Sequence, residues 1–178
     1  AASYLEDGLE IQQEDLDSMG GNGKRGIAVV TGGAGFIGSH MVDLLLAEGF
    51  HVHVVDNFVG GHRSNLKHHA DNPGLKIFEA DIRDAGAMKP AFDGARFVYH
   101  FAGIGDIVPS IERPIDYMMT NAQGTVHVRE CARAANVEKL VYAASSSCYG
   151  LADTPTTESH PAQPQYPYAL SKYQGEQA

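Results

Sequence analysis

Short apolar runs and stretches of helical periodicity alternate along the chain from Gly26 onward. The apolar runs predict five strands, at residues 27–31, 51–56, 75–80, 96–102 and 139–144. Apolar side chains spaced three and four apart predict helices over residues 36–48, 84–92 and 117–135, and a last helix beginning near Tyr168. In the first helix, Gly49 is predicted to follow the last turn, and the residues predicted to face the sheet are Ile37, Met41, Leu44 and Leu45.

Strands separated by helices predict a parallel sheet with right-handed crossovers, and hence a doubly wound α/β domain of the Rossmann type. Ligands of such sheets bind beyond the carboxyl ends of the strands. The residues that follow predicted strands are the glycines of 32–38, Asp56, Asp81, Ala102 and Ser145. We therefore expect them to share one edge of the sheet, with the ligand site beside them.

Composition and charge narrow the class of protein. The 178 residues are 43% hydrophobic, which suits one well-buried domain but is short for an enzyme with separate cofactor and substrate domains. The net charge is −9, and residues 1–19 supply −6 of it without a single Lys or Arg. Residues 1–24 are predicted to be an acidic flexible arm, with partner docking through its leucines as the alternative, and residues 25–178 the folded domain.

The same composition bears on partners and compartment. The mildly acidic body argues against nucleic-acid binding, which needs a basic face. Cys131 and Cys148 form no disulfide framework and suit a reducing compartment. Apolar runs fall short of the roughly 20 residues of a membrane span, and the acidic N-terminus lacks the basic start of a secretory signal. The sequence therefore predicts a cytoplasmic protein with no membrane partner.

Glycines join the first predicted strand to the first predicted helix. Gly32, Gly35 and Gly38 are spaced three apart, and Gly33 with the last two satisfies G-x-G-x-x-G. Such glycines permit a sharp turn and a close approach of the backbone to a pyrophosphate, which then faces the free N–H groups of the helix. A plain tight turn is the alternative. Asp56, 18 residues after Gly38, supplies the acid expected at the adenosine ribose of a dinucleotide.

Asp56 also indicates which dinucleotide is bound. A carboxylate accepts hydrogen bonds from both ribose hydroxyls and repels a 2′-phosphate, so the predicted cofactor is NAD rather than NADP. Two alternatives stay open: Asp56 merely caps the following turn, or Arg63 reaches a 2′-phosphate.

Tyr168 and Lys172 lie four residues apart in the last predicted helix, on one face and about one turn apart. A phenol has an ordinary pKa near 10, and a neighbouring ammonium stabilises the phenolate as a proton acceptor during hydride transfer. A solvated pair is the alternative.

Ser145 begins a run of hydroxyls after the fifth strand. Its hydroxyl is suited to bonding a reacting sugar hydroxyl or, alternatively, only the local backbone.

Two further groups of reactive side chains are interpreted as structural. Cys148 has no identifiable His partner and is predicted to be a buried small thiol. The nine histidines show no ligand spacing, so no metal is expected, and His68 and His69 are predicted to be solvated.

Taken together, these residues resemble the extended short-chain dehydrogenases/reductases of the NAD-dependent nucleotide-sugar epimerase/dehydratase family. The resemblance extends from about Gly26 to the end, through residues 31–40, 56–57, 81–82, 100–103, 120–125, 145–150 and 167–172. It implies a nucleotide-sugar substrate, most simply a UDP-sugar, and a homodimer formed through the helices at 117–135 and from Tyr168 onward.

The resemblance also implies roles for individual residues. Tyr168 is implied as the acid/base, Lys172 as the holder of the nicotinamide ribose and Ser145 as the catalytic serine. The implied cofactor-binding residues are Gly32, Gly35, Phe36, Ile37, Gly38, Asp56, Asn57, Asp81, Ile82, Phe101, Ala102, Gly103, Asn121, Tyr168 and Lys172. The implied substrate-binding residues are Ser145, Ser146, Ser147 and Tyr168. Gly103 stands where the family usually has alanine, a change expected to be tolerated.

The serine run separates the reactions of the family. Sugar 4,6-dehydratases carry Thr-Asp-Glu where this chain has Ser145-Ser146-Ser147, and UDP-glucuronate decarboxylases place Glu at the position of Ser147. Epimerisation at C4 through a 4-keto sugar is therefore expected first, with a dehydratase, decarboxylase or reductase as the alternative. The family's substrate half follows the Tyr-Lys helix, so we expect the chain to be a fragment with little turnover alone, or else a non-catalytic NAD-binding module.

Overall fold

The structure is a computed structural model that describes residues 25–178, so the predicted acidic arm lies outside the described residues. In the described part, parallel strands form one sheet in the order β3-β2-β1-β4-β5. The strands are β1 Ile27–Thr31, β2 His51–Asp56, β3 Leu75–Glu79, β4 Ala95–His100 and β5 Lys139–Tyr142. The chain proceeds outward from β1 to β3 and then crosses to β4 on the other side of β1. The predicted doubly wound parallel sheet is confirmed.

Helices pack on both faces of this sheet. They are α1 Phe36–Ala47, α2 Ala85–Met88, α3 Val108–Glu112, α4 Pro114–Tyr117, α5 Gly124–Ala134 and α6 Pro167–Gln177. Segments of 3-10 helix lie at Arg63–His69, Lys89–Phe92 and Ser146–Tyr149, and the π-helical segment Met118–Gln123 joins α4 to α5. None of the helices in the described residues is both long and apolar enough to cross a bilayer.

Several boundaries differ from the sequence prediction for identifiable reasons. β4 ends at His100 and not at residue 102, because its neighbour β1 ends at Thr31, the register partner of His100. β5 likewise ends at Tyr142, which pairs with His100. The 3-10 segment Arg63–His69 and helix α3 escaped prediction because each is too short to show a helical period.

The core consists of two apolar layers, one on each face of the sheet. Val29, Val55 and Val98 contribute to the layer beneath α2 and α5, whereas the neighbouring Val30 and Val54 contribute to the layer beneath α1. This alternation follows from the period of two along a strand, which sends successive side chains to opposite faces. Both layers are needed because a parallel sheet is buried on both sides.

Helix α1 presents a different face to the sheet from the one predicted. Ile37 and Leu44 are 62% and 54% exposed, so the prediction that they face the sheet is wrong. The buried residues of the helix are Gly38, Ser39, Val42 and Leu45, with Met41 partly buried against the core. Gly38 sets this rotation, because its backbone lies so close to Gly32 that this edge of the helix must point inward.

Candidate functional site

A cavity of about 620 Å³ opens at the carboxyl edge of the sheet. The loops that follow β1, β2, β3 and β4 line one side, and α3, α4 and the π-helical segment line the other. The predicted cofactor residues on its wall are Gly32, Gly35, Asp56, Asn57, Asp81, Ile82, Phe101, Ala102 and Gly103. These residues share one edge of the sheet, as the strand pattern predicts.

The glycine loop contains glycines required for two different reasons. Gly32 has a φ of 69°, and a Cβ there would lie 2.7 Å from the backbone N of Ala102, while a Cβ on Gly38 would lie 2.1 Å from the carbonyl O of Gly32. Packing of the protein alone therefore demands these two. A Cβ on Gly35 would meet only that carbonyl, at 3.2 Å. Gly35 lines the cavity directly before the free N–H groups of α1, so the space it leaves open fits a pyrophosphate.

Asp56 is a rigid acceptor on the cavity wall. Its Oδ2 accepts a hydrogen bond from Ala34 N at 2.9 Å and its Oδ1 one from Phe58 N at 2.8 Å, and the residue is 7% exposed. A Cβ on Gly61 would lie 2.9 Å from both carboxylate oxygens. The carboxylate thus caps the following turn, and because each oxygen has a second lone pair, it retains capacity for ribose hydroxyls.

Arg63, the alternative contact for a 2′-phosphate, is engaged elsewhere. Its guanidinium forms an ion pair with Glu79 and lies 4.0 Å from the ring centroid of Phe58. Arg63 does not line the cavity that the described residues form. A 2′-phosphate would have to break the pair with Glu79 and also approach the carboxylate of Asp56, so the arrangement favours NAD.

Asp81 and Asn57 form the polar wall next to Asp56. Asp81 Oδ1 accepts from the backbone N and Nε of Arg83, each at 2.9 Å, and its Oδ2 accepts from Asn57 Nδ2 at 2.9 Å. The guanidinium of Arg83 and these other donors hold the pKa of Asp81 well below its usual range. Ile82 is 5% exposed and belongs to the apolar core, so its contribution to the cavity is largely backbone.

Asn121 connects the loop after β4 to helix α6. The residue is 1% exposed; its Oδ1 accepts from Ile104 N at 2.8 Å, and its Nδ2 donates to Ile104 O at 2.9 Å and to Ser171 Oγ at 3.0 Å. A Cβ on Gly103 would lie 2.9 Å from Asn121 Oδ1. The glycine therefore lets this loop sit tightly against the amide.

A buried chain of polar groups lies beneath the cavity. Thr125 Oγ1 donates to Asn121 O at 2.6 Å, so it accepts from His100 Nε2 at 2.9 Å. Thr31 Oγ1, 2.6 Å from His100 Nδ1, is then the donor to that nitrogen. His100 is fully buried, and burial together with repulsion from Lys172 lowers its pKa to about 3. The imidazole is therefore neutral with the proton on Nε2. Each group in this series of hydrogen bonds donates to the next one, from Thr31 through His100 and Thr125 to the Asn121 carbonyl.

Lys172 is held by Tyr142, the last residue of β5. The ammonium Nζ lies 4.3 Å from the ring centroid of Tyr142, whose Oη donates to the Lys172 carbonyl O at 3.1 Å. Burial lowers the pKa of Lys172 to about 8 and raises that of Tyr142 to about 12. At neutral pH the lysine is thus a partly desolvated cation over an aromatic face, an arrangement that restricts where its charge acts.

Tyr168 stands at the start of α6 against a second tyrosine. Its ring meets that of Tyr117 edge-on with centroids 6.3 Å apart, and the buried Tyr117 donates its hydroxyl proton to Gly105 O. Further along α6, a Cβ on Gly175 would lie 2.6 Å from Tyr142 Oη. The glycine allows α6 to pack directly on the end of β5, which sets the position of Tyr168 relative to the sheet.

The serine run forms a short 3-10 segment after β5. Ser145 Oγ accepts from Ser147 N at 3.3 Å, so it caps this segment as the structural alternative predicted, and its own proton stays available to another acceptor. Ser145 and Ser147 are half-buried and Ser146 is exposed. Cys148 is a buried free thiol whose pKa burial raises, in agreement with the prediction.

The remaining predicted site residues do not line the cavity that the described part of the chain forms. They are Phe36, Ile37, Gly38, Asn121, Ser145, Ser146, Ser147, Tyr168 and Lys172. The sequence prediction assigned no role to the residues that connect the strands, loops and helices around the site. They are Thr31, His100, Tyr117, Thr125 and Tyr142. A signal existed for three of them, since Thr31, His100 and Tyr142 are polar residues that end apolar strands.

The comparisons with known proteins cover the same part of the chain. The model of the NAD dependent epimerase/dehydratase family matches residues 28–178. The chain is 38% identical over 152 residues to UDP-glucose 4-epimerase 2 of Oryza sativa subsp. japonica, a match that covers 81% of this chain and 37% of the relative. The chain thus spans less than half the length of this curated relative.

Solved structures give the same picture. UDP-glucose 4-epimerase of Thermus thermophilus, solved with NAD, matches with a TM-score of 0.76 and 37% identity, over 85% of this chain and 49% of that one. A dTDP-glucose 4,6-dehydratase from Streptomyces venezuelae, also with NAD bound, matches with a TM-score of 0.80 and 36% identity, over 85% and 49%. Overall likeness to this fold is therefore shared by epimerases and dehydratases.

Proposed function

The chain belongs to the NAD-dependent epimerase/dehydratase family, and on that premise we propose that it binds NAD and serves epimerisation of a nucleotide-sugar, most simply a UDP-sugar, at C4. The observation that carries the choice of reaction is the segment at the end of β5. Positions 145–147 are all serine, with hydroxyls where a dehydratase needs an extra acid and base. Removal and return of hydrogen at one carbon requires only one proton-transferring group.

Residues of the cavity would hold the cofactor. The first-turn N–H groups of α1, next to Gly35, would bind the pyrophosphate, and Asp56 would accept the adenosine ribose hydroxyls. Asp81 and Ile82 would border the adenine, and Ala102 with Gly103 would border the nicotinamide. Bound NAD supplies a reversible hydride acceptor.

Proton transfer falls to Tyr168. Its Oη would take the proton of the sugar 4-hydroxyl and later return it, and the ammonium of Lys172 would stabilise the phenolate. Lys172 suits this task because Tyr142 holds it in two ways. The Tyr142 hydroxyl bonds the Lys172 carbonyl, and the Tyr142 ring lies against the ammonium group. Ser145, whose Oγ accepts from Ser147 N, would donate its proton to the sugar oxygen and hold it near Tyr168.

The reaction is tested by following UDP-glucose with the full-length protein in D₂O by proton NMR. An epimerase forms UDP-galactose without taking up deuterium, because the hydrogen at C4 is carried on the cofactor and returned. A dehydratase incorporates deuterium from solvent and loses the 6-hydroxyl. Deuterium in the product, or a 6-deoxy sugar, would overturn the proposal of epimerisation and favour the dehydratase.

The acid/base is tested by Tyr168→Phe. We expect a loss of turnover of about 10²–10⁴-fold, since the phenol proton is removed while the ring and its contact with Tyr117 stay. NAD affinity, measured by calorimetry, should change little. Tyr173→Phe, a change of the same kind elsewhere on α6, is the matched control. Equal turnover in Tyr168→Phe and Tyr173→Phe would remove Tyr168 from the mechanism.

We also propose a homodimer in the reducing cytoplasm. Met119, Val126 and Leu170 expose 37–42% of their surface on the helices that the resemblance assigns to a dimer interface, which supports a second copy there. The free thiols of Cys131 and Cys148 support a reducing compartment. A molecular mass of one chain, measured by light scattering, would argue against the dimer. Secretion of the protein would argue against the reducing compartment.

A further inference from the structure

Three donor side chains converge outside the cavity, where α1 meets the 3-10 segment Arg63–His69. Asp43 of α1 and the consecutive His68 and His69 place their ligand atoms within 4.8 Å of one another. The Nε2 atoms of both histidines lie 2.8 Å from one oxygen, Asp43 Oδ1. Their rings are tilted by 44° with centroids 4.1 Å apart. Neighbours in sequence thus aim the same nitrogen at one carboxylate.

A fourth donor stands one turn earlier on α1. His40 Nδ1 lies 3.9 Å from the other carboxylate oxygen, Asp43 Oδ2, and its ring meets that of Phe36 edge-on at 5.2 Å. The His40 side chain is 69% exposed, so it has room to rotate toward the cluster. The cluster itself supplies two imidazole nitrogens and one carboxylate, and His40 is a third imidazole beside the other oxygen of that carboxylate.

Three imidazoles and a carboxylate are ligands that Zn²⁺ accepts in tetrahedral sites. With bonds of about 2.0–2.1 Å, neighbouring ligand atoms of such a site are roughly 3.3 Å apart. The observed separations from Asp43, 2.8 Å to His68 and His69 and 3.9 Å to His40, lie on either side of this value.

We propose that Asp43, His68 and His69, with His40 as fourth ligand, form a zinc site that ties α1 to the 3-10 segment after β2. Its ligands are separate from Tyr168, Lys172 and the cavity wall, so the site goes beyond the epimerase proposal.

The position of the site indicates a structural role. Leu66 anchors the 3-10 segment in the core, and Asn65 Nδ2 donates to Ala34 O at 2.8 Å, next to the glycine loop. The loop between β2 and this segment carries Gly60 and Gly61 on the cavity wall. A bound ion adds a cross-link at the far end of the same segment and stabilises the fold around the adenosine side.

The test is titration of the metal-free protein with ZnCl₂ by calorimetry. We expect one Zn²⁺ per chain, an affinity at least tenfold lower in His69→Gln and in Asp43→Asn, and no change in His160→Gln, a histidine remote from the cluster in sequence and structure. Cobalt provides a second readout, because a tetrahedral nitrogen and oxygen site gives intense visible absorption that His69→Gln should lose.

Stability and cofactor binding complete the test. Zn²⁺ should raise the melting temperature of the protein and of His160→Gln but not of His69→Gln. If His69→Gln is poorly folded, the exposed His40→Gln replaces it, with weaker binding expected. Equal zinc affinity in the protein, His69→Gln and His40→Gln would overturn the proposal, whether or not the protein proves to be an epimerase.

Discussion

The adenosine end and the catalytic end of the site are built in different ways. At the adenosine end, Asp56 is fixed by backbone donors 2 and 22 residues away. At the catalytic end, the hydrogen bond between Asn121 and Ser171 spans 50 residues and that between Thr31 and His100 spans 69. The first end is a property of successive strand–loop units, whereas the second exists only when β4 has paired with β1 and α6 has docked on the sheet.

Each half of the site is therefore vulnerable to a different kind of substitution. Substitutions of the groups that face the cavity at the adenosine end should act locally on NAD binding, whereas glycines such as Gly38 that let α1 pack against the loop carry the stability of the fold. Substitutions at the catalytic end should lower stability and turnover together. Four predictions, each with a comparison variant, test this division.

The largest effect is expected for Gly38→Ala. Its Cβ would lie 2.1 Å from Gly32 O, so helix α1 must move, and we expect a loss of about 3 kcal/mol or more in the free energy of unfolding, measured in urea. Gly35→Ala would place its Cβ 3.2 Å from the same carbonyl, a contact that a shift of a few tenths of an ångström relieves, and should instead weaken NAD binding at least tenfold with little loss of stability. Gly60→Ala, with open space around its Cβ, is the stability control. Equal stability of the Gly38 and Gly60 variants would contradict the packing argument.

Next in size is Asn121→Ala, compared with Asn57→Ala. Removal of the buried amide leaves Ile104 N and O unpaired, which should cost about 2–3 kcal/mol of stability and reduce turnover. Asn57 makes similar hydrogen bonds in an exposed place, so its variant should lose less than about 1 kcal/mol. Urea unfolding measures both. If the two variants lose the same stability, the division between the two ends fails.

The third effect is a dependence of stability on pH that comes from the titration of Lys172. Burial lowers its pKa from 10.5 to about 8, so above pH 8 the native state loses a proton that the unfolded chain keeps. The free energy of unfolding should therefore rise with pH from 8 toward 10.5, by up to about 1.4 kcal/mol per pH unit relative to Lys172→Met. Parallel stability curves for the protein and the methionine variant would show that the lysine is not desolvated.

The smallest effect concerns the choice of cofactor. Glu79→Gln weakens the exposed pair with Arg63 and frees the guanidinium for a 2′-phosphate, which should raise NADP affinity only a few-fold, since exposed ion pairs are worth about 0–1 kcal/mol. Affinity for NAD should stay the same, because Asp56 is untouched. Glu138→Gln, which weakens a pair with Arg96 elsewhere, is the control. An equal gain in both variants would point to general charge and not to Arg63.

The sequence predicts the local half of this picture well. The glycine spacing, the acid at the end of β2 and the order of strands all follow from short-range patterns, and the structure places these groups on one wall. The rotation of α1 was not predictable, because apolar Ile37 and Leu44 suggest one face while the close packing of Gly38 selects another.

The long-range half was largely beyond sequence reasoning. No pattern in the chain says that Tyr142 meets Lys172 or that His100 lies between Thr31 and Thr125, since the first contact depends on how α6 packs against β5 and the second on how β4 pairs with β1 and α5 packs on the sheet. The histidines of the proposed zinc site are a similar case. His68 and His69 look solvated until the 3-10 segment is seen to lie on α1 beside Asp43.

The π-helical segment Met118–Gln123 has a consequence for how this chain can change by insertion and deletion. A π-turn holds about one more residue than an α-turn, so deleting one residue from this segment would restore a regular helix. Because the wide turn absorbs the extra residue locally, α4 and α5 would keep their relative orientation while the segment between them narrows. Asn121 lies inside that segment, so its amide would leave Ile104 and Ser171, and a gene that lost a single codon here should encode a folded α/β sheet whose helix α6 is held less firmly.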